Sequence, residues 1–156
     1  MDETLNWYAI KVFWNRVEAV KNRLDEQGVD YYAQKVMPAY IFLHTEEKTV
    51  LRLRSTEYNR FYVYVDRQTH KPLVIPPREM DVFRIVTSAD STGFEFLGED
   101  PSVYQKGDKV RVTDGLFKGA EGYIKRIRKD RRLVVTISGV AAIATSYIPA
   151  QLLEKI

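Results

Sequence analysis

Cysteine is absent from this 156-residue chain, which excludes disulfides and any metal site built on thiolates and suits a reducing compartment. Histidine occurs only at His44 and His70, without metal-ligand spacing, so no metal is expected. No apolar run approaches the ~18 residues of a membrane span, and Met1-Asp2-Glu3 is not the basic start of a signal peptide. The expectation is a soluble, cytoplasmic protein without a membrane partner. Signatures of catalysis are missing too. No Gly-Lys-Ser/Thr ends a glycine loop, no serine stands in a nucleophile elbow, and the carboxylate pairs Glu46-Glu47 and Glu99-Asp100 lie in polar stretches. Neither an enzyme nor a cofactor is expected.

What the chain does have is an uneven charge. Residues 1–87 hold 13 Lys/Arg against 12 Asp/Glu, residues 88–104 hold four acids and no base, and residues 105–156 hold 11 bases against five acids. An acidic middle between a near-neutral half and a basic end predicts two domains and a linker. We place them at 1–88, 89–103 and 104–156.

The first part alternates strand and helix signals. Leu5–Val12 reads as a strand buried on both faces. Asn15 with Glu18 three residues later predicts a capping box, Val17, Val20 and Leu24 form a helical stripe, and Gly28 marks its stop. Tyr31–Val36 and Ala39–His44 are strand candidates interrupted at Met37-Pro38. Glu46–Arg54 is a short helix with Val50 and Leu53 inward and Arg52 and Arg54 outward. Phe61–Val65 alternates, with Phe61, Val63 and Val65 on one face and Tyr62 and Tyr64 on the other. After a polar turn at Asp66–Lys71 and a strand at Leu73–Ile75, Pro77 starts a helix carrying Met80, Phe83 and Val86 or Thr87 inward. This order predicts an α+β sandwich of helices on a mixed sheet. In the acidic stretch, Phe94, Phe96 and Leu97 supply material for a strand or a docking segment.

From Lys109 onward the signals are strand and turn: 109–113, 121–129, 132–138 and 140–147, with a short piece at Leu152-Leu153. These predict a small closed barrel. Its most informative part is residues 107–124, GDKVRVTDGLFKGAEGYI. Gly115, Gly119 and Gly122 let the chain reverse within a few residues, and Phe117 stands between the first two. Phe117 either plugs the barrel end or faces a partner.

This glycine-spaced loop resembles the KOW motif of ribosomal proteins and of NusG-type transcription elongation factors. Trp7-Tyr8, the helix after it, Met37-Pro38-Ala39-Tyr40-Ile41-Phe42, Arg60-Phe61 and Pro76-Pro77-Arg78-Glu79 resemble the NusG N-terminal domain over the rest of the chain. Ala39 stands where relatives carry glycine, Met37 where they carry an aromatic, and the Gly28–Pro38 connection is shorter than usual. Ser146-Tyr147-Ile148-Pro149 and Leu152–Ile156 resemble Bacteroidetes paralogs that antiterminate surface-polysaccharide operons.

The resemblance implies an α+β fold, a NusG-type sandwich followed by an SH3-like KOW barrel, in a monomer. It implies a non-catalytic elongation or antitermination factor. The clamp helices of the largest RNA polymerase subunit would be received at Pro38, Tyr40 and Phe42, with Phe61 beside them. A ribosomal protein or termination factor would bind the KOW loop at Gly115, Phe117, Gly119 and Gly122. Strand parity alone leaves Tyr40 and Phe42 open between a partner face and a second buried face. Arg52 and Arg54 lie where relatives approach non-template DNA or the polymerase gate loop, and are otherwise solvated helix residues. Lys125, Arg126, Arg128, Lys129, Arg131 and Arg132 form a basic cluster around a turn at Asp130. It reads equally as a solvated, edge-protecting hairpin or as a phosphate-binding site for RNA or DNA. The rival reading of the whole is a ribosome-associated RNA-binding KOW protein.

Overall fold

The computed structural model describes residues 4–13, 15–34, 37, 39–88, 94–127 and 129–156. It divides into two units, Met1–Pro77 and Arg78–Ile156.

In the first unit, β1 (Asn6–Val12), β2 (Asp30–Tyr32), β3 (Tyr40–Thr45) and β4 (Phe61–Val63) form one sheet in the order β2-β3-β1-β4, antiparallel at every described pairing where a mixed sheet is predicted. Two helices, α1 (Val17–Glu26) and α2 (Glu47–Thr56), supply the predicted stripes. Val20, Leu24, Val50 and Leu53 join Tyr8, Ile10, Val12, Ile41, Leu43, Phe61 and Val63 in one buried cluster. Each large aliphatic in it contributes about 1.5–3 kcal/mol by leaving water.

The predicted capping box does not form. Asn15 adopts φ +56, a left-handed conformation that Asn tolerates, and turns the chain so that Arg16 N–H donates to Phe13 O. Arg16 is therefore the N-cap, without a side-chain cap. The other end follows the sequence closely. Gly28, at φ +68, donates to Asp25 O and Val29 N–H donates to Leu24 O, the paired bonds of a Schellman stop.

The strand predicted at Phe61–Val65 is ladder only to Val63, and the one at Leu73–Ile75 is reduced to a bridge from Ile75 to Trp7. The polar turn between them is built by Asp66, whose carboxylate accepts from the N–H groups of Gln68 and Thr69. Those backbone bonds hold the Asp66 carboxyl below its usual range.

In the second unit, α3 (Pro77–Ser88) opens on a proline whose missing N–H costs nothing there. Met80, Phe83, Val86 and Thr87 are all buried, as their spacing predicts. The strands are β5 (Phe94–Gly98), β6 (Lys109–Val112), β7 (Glu121–Ile127), β8 (Asp130–Ile137), β9 (Ala141–Tyr147) and β10 (Leu153–Lys155). They form one antiparallel sheet in the order β10-β6-β7-β8-β9-β5.

Two expectations are revised here. The stretch 89–103, read as a linker with material for a strand at Phe94, Phe96 and Leu97, does form that strand, β5, and the start of a 3-10 turn at Pro101–Tyr104. Among the described residues the ladders leave the sheet open between β10 and β5, where a closed barrel is predicted. The reason is local: β5 occupies the outer edge of β9, the edge that closure would use. Among the described residues no helix is long and apolar enough to cross a membrane.

Candidate functional site

Strand parity divides the first sheet into two faces, and the register decides which aromatics meet. Lys11 pairs with Tyr40 on one side and Tyr62 on the other, while Val12 pairs with Phe61. Directly opposed residues share a face. Tyr40 and Tyr62 therefore flank Lys11, and Phe61 points the other way, into the core beneath the helices. The sequence expectation that Phe61 neighbours Tyr40 and Phe42 is not met. Pro38, expected in the same site, lies outside the described residues.

The outer face is aromatic and cationic. The Tyr40 and Tyr64 rings stack with centroids 6.3 Å apart, Tyr62 meets Tyr64 edge-on at 5.3 Å, and Lys11 Nζ lies 5.9 Å from the Tyr40 centroid. Further along, Trp7 and His44, opposed across β1 and β3, stack at 4.5 Å. Burial, and then the neighbouring Tyr40 phenol, hold the Tyr64 phenol well above its usual range. Tyr40 and Phe42 are themselves only 4% and 2% exposed. Both faces of β3 are thus buried at these positions, and the accessible aromatic of this group is Tyr62. The alternation of Tyr62 and Tyr64 was readable. Their meeting with Lys11 and Tyr40 depends on register, which the sequence does not print.

Arg52 and Arg54 are exposed, as expected, and engage different partners. Two residues apart on a helix, they diverge: Arg52 donates to Gln27 Oε1 at 3.0 Å and Arg54 to His70 O at 3.3 Å.

In the second unit the glycine loop has its expected chemistry and an unexpected surface. Gly115 and Gly119 take φ +87 and +91. Gly122 serves a different need, since a Cβ there would stand 2.1 Å from Val134 O. Phe117 is 5% exposed, whereas its neighbour Leu116 is 64% exposed. Of the two readings left open, burial places Phe117 as the plug. The loop is braced from α3: Arg78 donates to Glu121 through Nε at 2.7 Å and to Gly119 O at 3.3 Å, and Glu79 accepts from Ser138 N–H at 2.8 Å. An open polar depression of about 260 Å³ lies beside these contacts, lined by Arg78, Lys109, Glu121, Tyr123 and Ser138 among others.

The basic hairpin turns earlier than expected. Ile127 pairs with Asp130, so Asp130 belongs to the ladder and not to the turn; Lys129 sits at φ +71, and Arg128 lies outside the described residues. Lys125 opposes Arg132 and Arg126 opposes Arg131. Arg132 is neutralised by Glu95 of β5 at 2.9 Å, with Asp130 at 3.8 Å, and Lys125 Nζ donates to Lys106 O. Among the described residues no group of His, Cys, Asp and Glu is arranged to hold a metal ion.

No family model and no curated protein matches the chain. Solved structures do. The chain is similar to NusG of Thermotoga maritima, at 18% identity and a TM-score of 0.51, over 98% of each chain. Two conformations of the MjSpt4:Spt5 complex align at 14% and 13% identity, over 96% of this chain and 97% and 96% of theirs, with TM-scores of 0.32 and 0.35, below the range of a shared fold. The agreement with the Thermotoga maritima structure extends through both units, and it shows that this chain has the NusG fold.

Proposed function

We propose that this chain is a non-catalytic transcription elongation or antitermination factor of the cytoplasm. The observation that carries the reading is the likeness to NusG over nearly the whole chain, both units included. The residues 1–88 would form the polymerase-binding domain and 104–156 an SH3-like KOW domain, with the 89–103 segment contributing β5 to the second sheet. The outer face of the first sheet, around Tyr40, Phe42, Lys11 and Tyr62, is the proposed seat of the clamp helices of the largest polymerase subunit. Aromatics in a partly apolar patch are the usual carriers of interface energy. The glycine loop would receive a ribosomal protein or a termination factor, with Leu116 as its accessible apolar contact and Phe117 as its internal support. The arginines Arg52 and Arg54 are proposed contacts to non-template DNA.

Such a factor needs no chemistry of its own. Binding the processive state of the polymerase more tightly than the paused state shifts the population between them. The narrower assignment, to operon-specific antiterminators of the Bacteroidetes type, is part of the proposal and rests on the C-terminal sequence. Reconstituted transcription across a pause site and a terminator, with and without the chain, tests the function. Increased read-through is expected. Unchanged read-through together with salt-sensitive binding of structured RNA would transfer the assignment to the ribosome-associated reading.

A further inference from the structure

We infer that Arg126 and Arg131 form a two-guanidinium clamp for the phosphodiester backbone of a nucleic-acid strand. The two stand directly opposite each other near the tip of the β7–β8 hairpin. Ile148 N–H donates to Arg131 O at 3.4 Å, so the polar backbone edge of Arg131 is directed to β9 and not to β7. The Arg126–Arg131 pair is therefore of the non-hydrogen-bonded kind, in which opposed Cα atoms approach to about 4.5 Å and side chains lie closest.

Like charges opposed at that distance destabilise a hairpin, and elsewhere on this hairpin the repulsion is relieved. Arg132, opposite Lys125, has Glu95 and Asp130, and Lys125 has the Lys106 carbonyl. Asp130 alternates onto the Arg132 side and so is not aimed at the Arg126–Arg131 pair. Among the described residues neither Arg126 nor Arg131 has an acidic or carbonyl partner. Lys129, exposed at the turn, adds a further positive charge beside them. Two guanidiniums carried on directly opposed residues of one hairpin face suit a tetrahedral anion with several acceptor oxygens, which each can engage with two bonds. Four of the six basic residues thus sort into a structural pair, Lys125 and Arg132, and a free pair, Arg126 and Arg131.

This goes beyond the proposed function, whose nucleic-acid contacts, Arg52 and Arg54, belong to the first unit. The test is fluorescence anisotropy of the full chain against single strands of about fifteen nucleotides, one RNA and one DNA of matching sequence, between about 50 and 200 mM salt. Arg126→Gln/Arg131→Gln is expected to weaken binding about tenfold or more at low salt. The slope of log affinity against log salt should become shallower by about 1.4, or 0.7 for each lost contact. Arg126→Lys/Arg131→Lys should restore most of the slope. The control Lys21→Gln/Lys48→Gln removes the same charge from the other unit and should leave affinity within about twofold. Melting of the clamp variant should be unchanged or raised, because repulsion is removed.

A preference for RNA or for DNA identifies the strand and supports the clamp either way. Failure of wild type to bind either strand overturns it, as does equal binding by wild type and the Gln variant, or an equal loss in the control. Polymerase pull-down with the same variants should be unaffected. Its absence from wild type would remove the polymerase assignment while leaving the clamp intact.

Discussion

The Arg23 guanidinium grips Glu57 Oε1 with two bonds, from Nε at 3.0 Å and from NH2 at 2.6 Å. Glu57 is only 1% exposed and receives Arg60 on its second oxygen. Burial alone would raise its pKa, but the two arginines overcome that and hold the carboxyl below its ordinary value. This joins the end of α1 to the end of α2.

Glu57→Gln should cost about 1–3 kcal/mol at pH 7, less than a fully buried pair because both arginines retain access to water. The sign of the pH dependence follows from the depressed pKa. The stabilisation is fully present above the unfolded value of about 4.3 and is lost as pH falls through the folded value. Thermal melts of both proteins should therefore differ at neutral pH and converge on acidification.

Gly122→Ala should lower stability by about 2–4 kcal/mol, because the new methyl meets the Val134 carbonyl, a backbone atom that moves only with the strand. Gly28→Ala, with open space around it but a left-handed φ of +68, should cost about 1–2 kcal/mol. Urea titrations of the two variants compare a collision with a conformational preference.

Phe117→Ala should cost about 3–5 kcal/mol as a buried aromatic. Leu116→Ala should change stability by no more than about 0.5 kcal/mol. If the loop binds a second partner through its surface, capture of that partner falls with the Leu116 variant at unchanged melting temperature.

Lys11→Gln/Tyr62→Ala should leave the melting temperature nearly unchanged and weaken polymerase binding about thirtyfold, the worth of one aromatic anchor near 2 kcal/mol. Tyr40→Ala/Phe42→Ala, by contrast, removes two buried rings and should unfold the first unit, so its loss of binding would carry no information. Pull-down and melting measured on both pairs separate the two outcomes.

Local chemistry was largely legible in the sequence. The stripes Val20/Leu24 and Val50/Leu53, the Gly28 stop, the Pro77 start and the left-handed glycines 115 and 119 each depend on neighbours a few residues away. What failed depended on distant partners. Asn15 looked like a cap because its competing use, turning the chain between Phe13 and Arg16, involves a strand that also bonds to Arg60. Phe94, Phe96 and Leu97 left a strand and a docking segment open, and the edge offered by β9 decides for the strand. The face of Phe61 was set by pairing with Val12, and the partition of the basic cluster by a ladder that includes Asp130. Parity was visible throughout; register was not.

The outer strands of the second sheet have a consequence for how it is assembled. Phe94 pairs with Thr145 and Val110 with Lys155, so both flanking strands find their partners about fifty residues away. The hairpins β6–β7, β7–β8 and β8–β9 need only short closures, and are expected to zip first as a meander. Addition of β5 and β10 is then the expected slow step. Until it is complete, the edges of β9 and β6 present open templates to any other chain in solution.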